Sequence, residues 1–120
     1  MNRVRCAISG IGHRSRTWIS EMAKAYSDVA EIIALCDPVP GRCHDMCAAF
    51  GLSAEEYSDY DAMLAAARPD LVIVTSPDHV HAGQIVKAFH AGCDVGSEKP
   101  LCLTPEEGNA ILTAERECGK

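Results

Sequence analysis

The apolar residues of this chain change their spacing again and again, from the two-residue period of a strand to the 3.6-residue period of a helix and back. Few folds satisfy such a pattern. "VRCAISG" alternates Val4, Cys6 and Ile8 and stops at Gly10. Trp18, Met22 and Tyr26 then recur at helical spacing, with Ile19 and Ala23 beside them. "VAEIIALCD" is a near-continuous apolar run, as expected of a strand covered on both faces. Residues 41–50 are helical again, with Gly51 as the stop. A short strand near Tyr57 and a helix over 59–67 follow. "DLVIVTSP" is rich in β-branched residues and closed by Pro77, which makes it the clearest strand. Asp78 is expected to cap the next helix, whose stripe is Ala82, Ile85, Val86 and Phe89 and whose end is Gly92. "DVGSE" makes a fifth strand. The last helix opens with Thr104 as N-cap, Pro105 at the first helical position and Glu107 closing a Thr-x-x-Glu capping box; Gly119 is its stop.

Strand and helix in this rhythm predict an α/β fold, a doubly wound parallel sheet of about five strands with helices on both faces. The 120 residues suit one domain. The usual dinucleotide-binding order adds a sixth strand beside the fifth, and that strand would begin where Lys120 stands. The chain is therefore expected to be the front part of a longer protein that carries a C-terminal substrate domain. Without that sixth strand the fifth is expected to form an exposed sheet edge that invites pairing with another copy, an association that belongs to the shortened chain alone; a homo-oligomer of the longer protein is a separate possibility.

Composition narrows the partners. Net charge is −6 and no Lys/Arg cluster stands out, which argues against nucleic acid. No apolar run approaches the roughly 20 residues of a membrane helix, and "MNRVRCAISG" lacks the apolar stretch of an export signal. The seven cysteines, several inside strand-like runs, read as reduced thiols acting as small hydrophobes, which points to the cytoplasm. "CHDMC" puts Cys43 and Cys47 on one helix face, but His44 points elsewhere and no second ligand pair follows, so no metal is assigned.

The first strand runs into "SGIGHRSR". Gly10 and Gly12 match the first two glycines of G-x-G-x-x-G, and Ser15 takes the third place. The first glycine permits a sharp turn and the second lets backbone approach a pyrophosphate, which the N–H groups and dipole of the following helix attract. His13, Arg14 and Ser15 open that helix and are candidates for the same anion, Arg14 by its charge and Ser15 by its hydroxyl. Asp37 closes the second strand, where a carboxylate can accept from the adenosine ribose and repel a 2′-phosphate. That favours NAD over NADP, although Arg42 nearby works the other way; a turn aspartate before Pro38 is the alternative. Thr75, Ser76 and Pro77 leave the fourth strand at the edge where doubly wound sheets bind ligands. His81 follows them, either at the cofactor side or at the surface, and His79 reads as solvated. Glu98 and Lys99 emerge at the same edge. Lys99 there could hydrogen-bond a substrate oxygen during hydride transfer, with Pro100 stiffening the turn; a solvated charge pair is the plainer reading.

Together, "GIGHRS", "CDP", "TSPDHVHAG" and "EKPL" resemble the N-terminal half of the Gfo/Idh/MocA oxidoreductases over essentially the whole chain. The resemblance implies a Rossmann-type dinucleotide-binding domain in which Gly10, Gly12 and Asp37 hold NAD or NADP. It places "TSP" and His81 along the cofactor, Glu98 near the nicotinamide ribose and Lys99 as the active-site lysine. It implies a sugar, cyclitol or related polyol as substrate, bound mainly by a second domain. Ser15 departs from the family's glycine. Two rivals stand beside this reading. One is a dinucleotide-binding or sensing module without catalysis, and the other is a methyltransferase, against which "EKP" argues.

Overall fold

The first strand, β1 (Val4–Ser9), sits at the centre of a five-stranded parallel sheet in the order β3-β2-β1-β4-β5. The computed structural model describes residues 2–120. Its other strands are β2 (Ala30–Cys36), β3 (Glu55–Tyr57), β4 (Leu71–Val74) and β5 (Asp94–Ser97). The helices between and after them are α1 (His13–Lys24), α2 (Arg42–Phe50), α3 (Tyr60–Ala67), α4 (His81–His90) and α5 (Pro105–Cys118). The expected doubly wound architecture and strand count are what the chain adopts, with β5 at one edge.

Pleating divides the core in two, because neighbouring residues of a strand face opposite sides of the sheet. Ile8, Leu35 and Ile73 face α1 and α2, where they meet Ile19, Cys43 and Met46. Ala7, Ala34, Cys36, Val72 and Val74 face the other way, toward Met63 and Leu64 of α3 and Ile85, Ala88 and Phe89 of α4. Ile8, Ile19 and Leu35 are fully buried, each contributing about 1.5–3 kcal/mol by leaving water. The last helix, α5, packs on α4 and buries Ala114.

Helix boundaries follow local chemistry. The Asp59 carboxylate accepts from Ala62 N and starts α3. Thr104 accepts from Glu107 N, Pro105 takes the first position of α5, and Gly119 ends it with φ +68°. The Glu107 carboxylate accepts from Leu103 N, one residue ahead of the amide that a standard capping box would use. Two expectations are corrected. Tyr26 lies beyond the end of α1 and is exposed, because the chain turns there and Tyr26 O accepts from Ala30 N to lead into β2. Asp78 does not cap α4: a single 3-10 turn, Asp78–Val80, intervenes, and α4 starts from Val80 without a side-chain cap.

Candidate functional site

All the segments singled out by sequence leave the sheet at its C-terminal edge, and hydrogen bonds tie them into one frame. Gly10 follows β1 with φ +91°, and a Cβ there would collide with the backbone N and Cα of Ser76 and lie 2.6 Å from Thr75 C. The close approach and the positive φ both require glycine. Thr75 Oγ1 donates to Gly10 O at 2.7 Å, stitching the ends of β1 and β4 together. Gly12 is the N-cap residue of α1, with no side-chain cap and no acidic residue in the first turn. A Cβ on Gly12 would meet nothing within 4 Å, so the helix start faces open space with backbone donors that no capping side chain occupies. That arrangement suits an anion, and it fits the pyrophosphate of a dinucleotide.

Asp37 has the turn role that its place before Pro38 offered as the alternative. Its Oδ1 accepts from Val39 N at 2.8 Å, a turn bond, and its Oδ2 accepts from Ile11 N at 2.8 Å, which holds the glycine turn in place. Arg42 approaches the same carboxylate at 3.4 Å. Oδ2 also accepts from Arg42 Nη1, so Oδ1, with Val39 N as its one donor, is the oxygen that keeps a second acceptor site for a ligand hydroxyl. Asp37 lines a cleft of about 360 Å³ together with Gly10, Val39, Ser76, Pro77 and His79. A roomier groove of about 520 Å³ runs between α1 and the sheet, but Met22, Tyr26, Val29, Leu71 and Ile73 make its wall almost wholly apolar. Arg14, Thr17, Glu21 and Glu98 also border it but turn little polar surface into it, so the smaller cleft is the better candidate.

Glu98 lies just past β5, where its own N–H donates to Val74 O. Its Oε1 accepts from Arg14 Nη2 at 2.7 Å, Arg14 Nε at 3.2 Å and Trp18 Nε1 at 2.8 Å. These bonds, Arg14 first and Trp18 next, hold the carboxyl below the usual value of 4.5. Among the described residues no partner engages Oε2. Gly96 makes room for this cluster: a Cβ there would stand 3.0 Å from Ile73 Cδ1 and 4.0 Å from the indole of Trp18. Lys99 is exposed, and among the described residues its ammonium has no hydrogen-bond or ion-pair partner. The peptide bond between Lys99 and Pro100 is cis. Glu98 and Lys99 are therefore not a solvated pair with each other; Glu98 pairs with Arg14 across the site.

Four candidates turn their polar groups toward the protein itself. Ser15 is fully buried and its hydroxyl donates to Gly12 O at 2.6 Å, so it closes the first turn of α1 instead of reaching for phosphate. The Ser76 hydroxyl is turned inward to Gln84 Oε1, and Thr75 likewise donates to backbone, so this loop offers its remaining acceptors and Pro77 to the cleft. His81 is not at the surface: it is 1% exposed, with Nδ1 2.6 Å from Pro100 O and Nε2 2.6 Å from Ser76 O. His13 and His79 are exposed. Cys43 and Cys47 point to the carbonyls of Tyr57 and Ala54, while His44 pairs with Glu56 at 3.7 Å.

Two supporting residues escaped the sequence reading. Gln84 accepts from both Ser9 and Ser76, joining β1 to the loop after β4, and its signal was a polar side chain inside the apolar stripe of α4. Trp18 was visible only as a stripe residue, yet its indole N–H needs a partner and takes Glu98.

Comparison with known proteins agrees with this geometry. The family model described as "Oxidoreductase family, NAD-binding Rossmann fold" matches residues 4–120. Inositol 2-dehydrogenase of Salmonella paratyphi B is 31% identical over 117 residues, covering 98% of this chain and 34% of that protein. The WlbA dehydrogenase of Bordetella pertussis, solved with NADH and UDP-GlcNAcA, superposes with a TM-score of 0.91 at 30% identity, over 98% of this chain and 35% of that one. The scyllo-inositol dehydrogenase of Lactobacillus casei, solved with NAD(H) and scyllo-inositol, gives 0.90 at 26% identity, over 98% and 34%. The chain spans about a third of the length of these relatives. Strand order, glycine turn and a match over nearly every residue agree, and the chain belongs to the Gfo/Idh/MocA oxidoreductase family, as its NAD-binding Rossmann domain.

Proposed function

We propose that this chain is the dinucleotide-holding part of an NAD-dependent oxidoreductase that acts on a hydroxyl-bearing carbon of a sugar, cyclitol or similar polyol. The observation that carries the reading is the uncapped N-terminus of α1 above the Gly10–Gly12 turn, with Asp37 on one side and the Glu98–Lys99 turn on the other. The backbone N–H groups of the first α1 turn bind the pyrophosphate, and Arg14 adds positive charge at that helix start. Asp37 accepts from the adenosine ribose through the acceptor site that Val39 leaves free on Oδ1. The unengaged oxygen of Glu98 accepts from the second ribose.

When bound, NAD supplies the hydride acceptor. Lys99 donates a hydrogen bond to the substrate hydroxyl oxygen and stabilises the negative charge that develops as its proton leaves. Among the described residues it has no ion-pair partner, which supports that role, since a lysine already paired would have to break a contact first. The dehydrogenase names and bound ligands of the relatives support the substrate class. Because the chain spans a third of their length, most of the substrate pocket and the group that exchanges the proton belong, in this reading, to residues beyond these 120. The same proposal puts the protein in the reducing cytoplasm, which its seven free thiols support.

Calorimetric titration of the chain with NAD and, separately, NADP tests the cofactor reading. Asp37→Asn is the informative variant, since it removes the charge while keeping one side-chain oxygen for the turn. Tighter NAD binding in the wild type, with the difference lost in the variant, is expected. Absence of binding by either cofactor would sink the reading.

A further inference from the structure

His81 is the one buried histidine and the only described side chain that bonds to both the loop after β4 and the loop after β5. Nε2 faces Ser76 O and Nδ1 faces Pro100 O, each at 2.6 Å, from opposite sides of one rigid ring. Ser76 is itself fixed: its hydroxyl is held by Gln84, and its backbone packs against Gly10 so closely that a methyl group would not fit between them. Pro100 belongs to the turn that carries Lys99, which is exposed and has no side-chain partner among the described residues to hold it. The backbone beside Lys99 is therefore anchored through His81 to the part of the site that cannot move. A neutral ring donates to one of the two carbonyls at a time, and an imidazolium donates to both.

We infer that His81 is a positioning residue that pins the Lys99–Pro100 turn to the Ser76 loop, so that the nicotinamide end of the site is formed before any ligand arrives. It acts through Pro100 and touches neither cofactor nor substrate, since both ring nitrogens are already engaged. This inference rests on the dinucleotide reading above only for what the turn is used for; the brace itself is a property of the fold.

The test separates the two ends of the cofactor. Wild type, His81→Phe and His81→Gln are titrated with NAD and with ADP, which has the adenosine and diphosphate but no second ribose or nicotinamide. Phenylalanine keeps the ring volume and removes both ring nitrogens; glutamine keeps a donor. The expected result is an NAD affinity about tenfold weaker in His81→Phe, the order that one or two buried hydrogen bonds supply, with partial recovery in His81→Gln and ADP unchanged. Equal loss for NAD and ADP would make His81 a general core residue, and no loss for either would also overturn the inference. Amide order parameters provide a readout without ligand: those of Lys99 and Leu101 should fall from the rigid range of about 0.85 toward 0.6 in His81→Phe, while those of β1 hold. If the wild type binds neither ligand, the dinucleotide reading fails, and the brace stands or falls on those order parameters. If His81→Phe does not fold, the wild type decides. In the unliganded wild type the amide order parameters of Lys99 and Leu101 must already lie in the rigid range of about 0.85, and values near 0.6 would overturn the inference.

Discussion

Replacing Gly10 by alanine separates the two jobs that a glycine turn is asked to do. With φ +91° at Gly10, an L-residue there carries a backbone cost of about 1–2 kcal/mol. The added Cβ would also collide with Ser76 backbone and stand 2.6 Å from Thr75 C, and these are main-chain atoms at the end of a buried strand, unable to swing away. Overpacking of this kind costs about 1–3 kcal/mol, so the total is about 2–5 kcal/mol. A domain of this size has about 5–15 kcal/mol in hand. A loss near 3 kcal/mol lowers the urea midpoint by about 1–3 M, which circular dichroism of the five helices reads directly. Gly12→Ala is the control. Gly12 has φ −104°, ordinary for any residue, and a Cβ there meets nothing within 4 Å. Its cost is that of a poorer helix cap, about 1 kcal/mol or less. The methyl group would instead occupy the open space in front of α1, so NAD binding measured by calorimetry should fall while the urea midpoint barely moves. An unchanged midpoint for Gly10→Ala would refute the packing argument, and Gly12→Ala unfolding as early as Gly10→Ala would refute the separation.

Three further outcomes follow from the same coordinates. Glu98 has its folded-state pKa lowered by Arg14 and Trp18, so what this cluster adds to stability is present above the ordinary value of 4.5 and is lost as pH falls through the lower folded value. The indole N–H resonance of Trp18, the single tryptophan, should therefore titrate with a midpoint below 4.5 in the wild type and not at all in Glu98→Gln; a midpoint above 4.5 would contradict the cluster. Burial pushes the Cys6 thiol up to about 11 and the Cys36 thiol up to about 12. Brief alkylation at pH 8 followed by mass spectrometry should mark Cys102 and Cys118 well before either of them, because the thiolate is the reactive form. Equal labelling of Cys36 and Cys118 would refute that order. Thr104→Ala removes the acceptor for Glu107 N and should cost about 1 kcal/mol in urea unfolding, and an unchanged midpoint would mean that α5 does not depend on its cap.

What could be read from residues alone was whatever depends on period and on local backbone chemistry. The alternation that sends Ile8 to one face and Ala7 to the other is a two-residue pattern, so the sheet and its two helical layers were legible. The start of α5 was legible because Thr104 acts on an amide three residues away. What could not be read was any partner that is a backbone carbonyl, because a carbonyl is the same in every residue type and leaves no mark in a sequence. His81, Thr75 and Ser15 were singled out as polar residues at a ligand-binding edge, and each is engaged by main-chain oxygen instead: the His81 ring lies between Pro100 O and Ser76 O, Thr75 donates to Gly10 O and Ser15 to Gly12 O. The same polar character that makes such residues candidates for touching a ligand makes them suited to holding loops in register. At an edge where four loops must meet without regular secondary structure, those loops need side-chain hydrogen bonds to replace the missing ladder. A polar residue in such a segment is therefore evidence for a site, but its own contact is decided by whether a carbonyl from another loop reaches it before a ligand can.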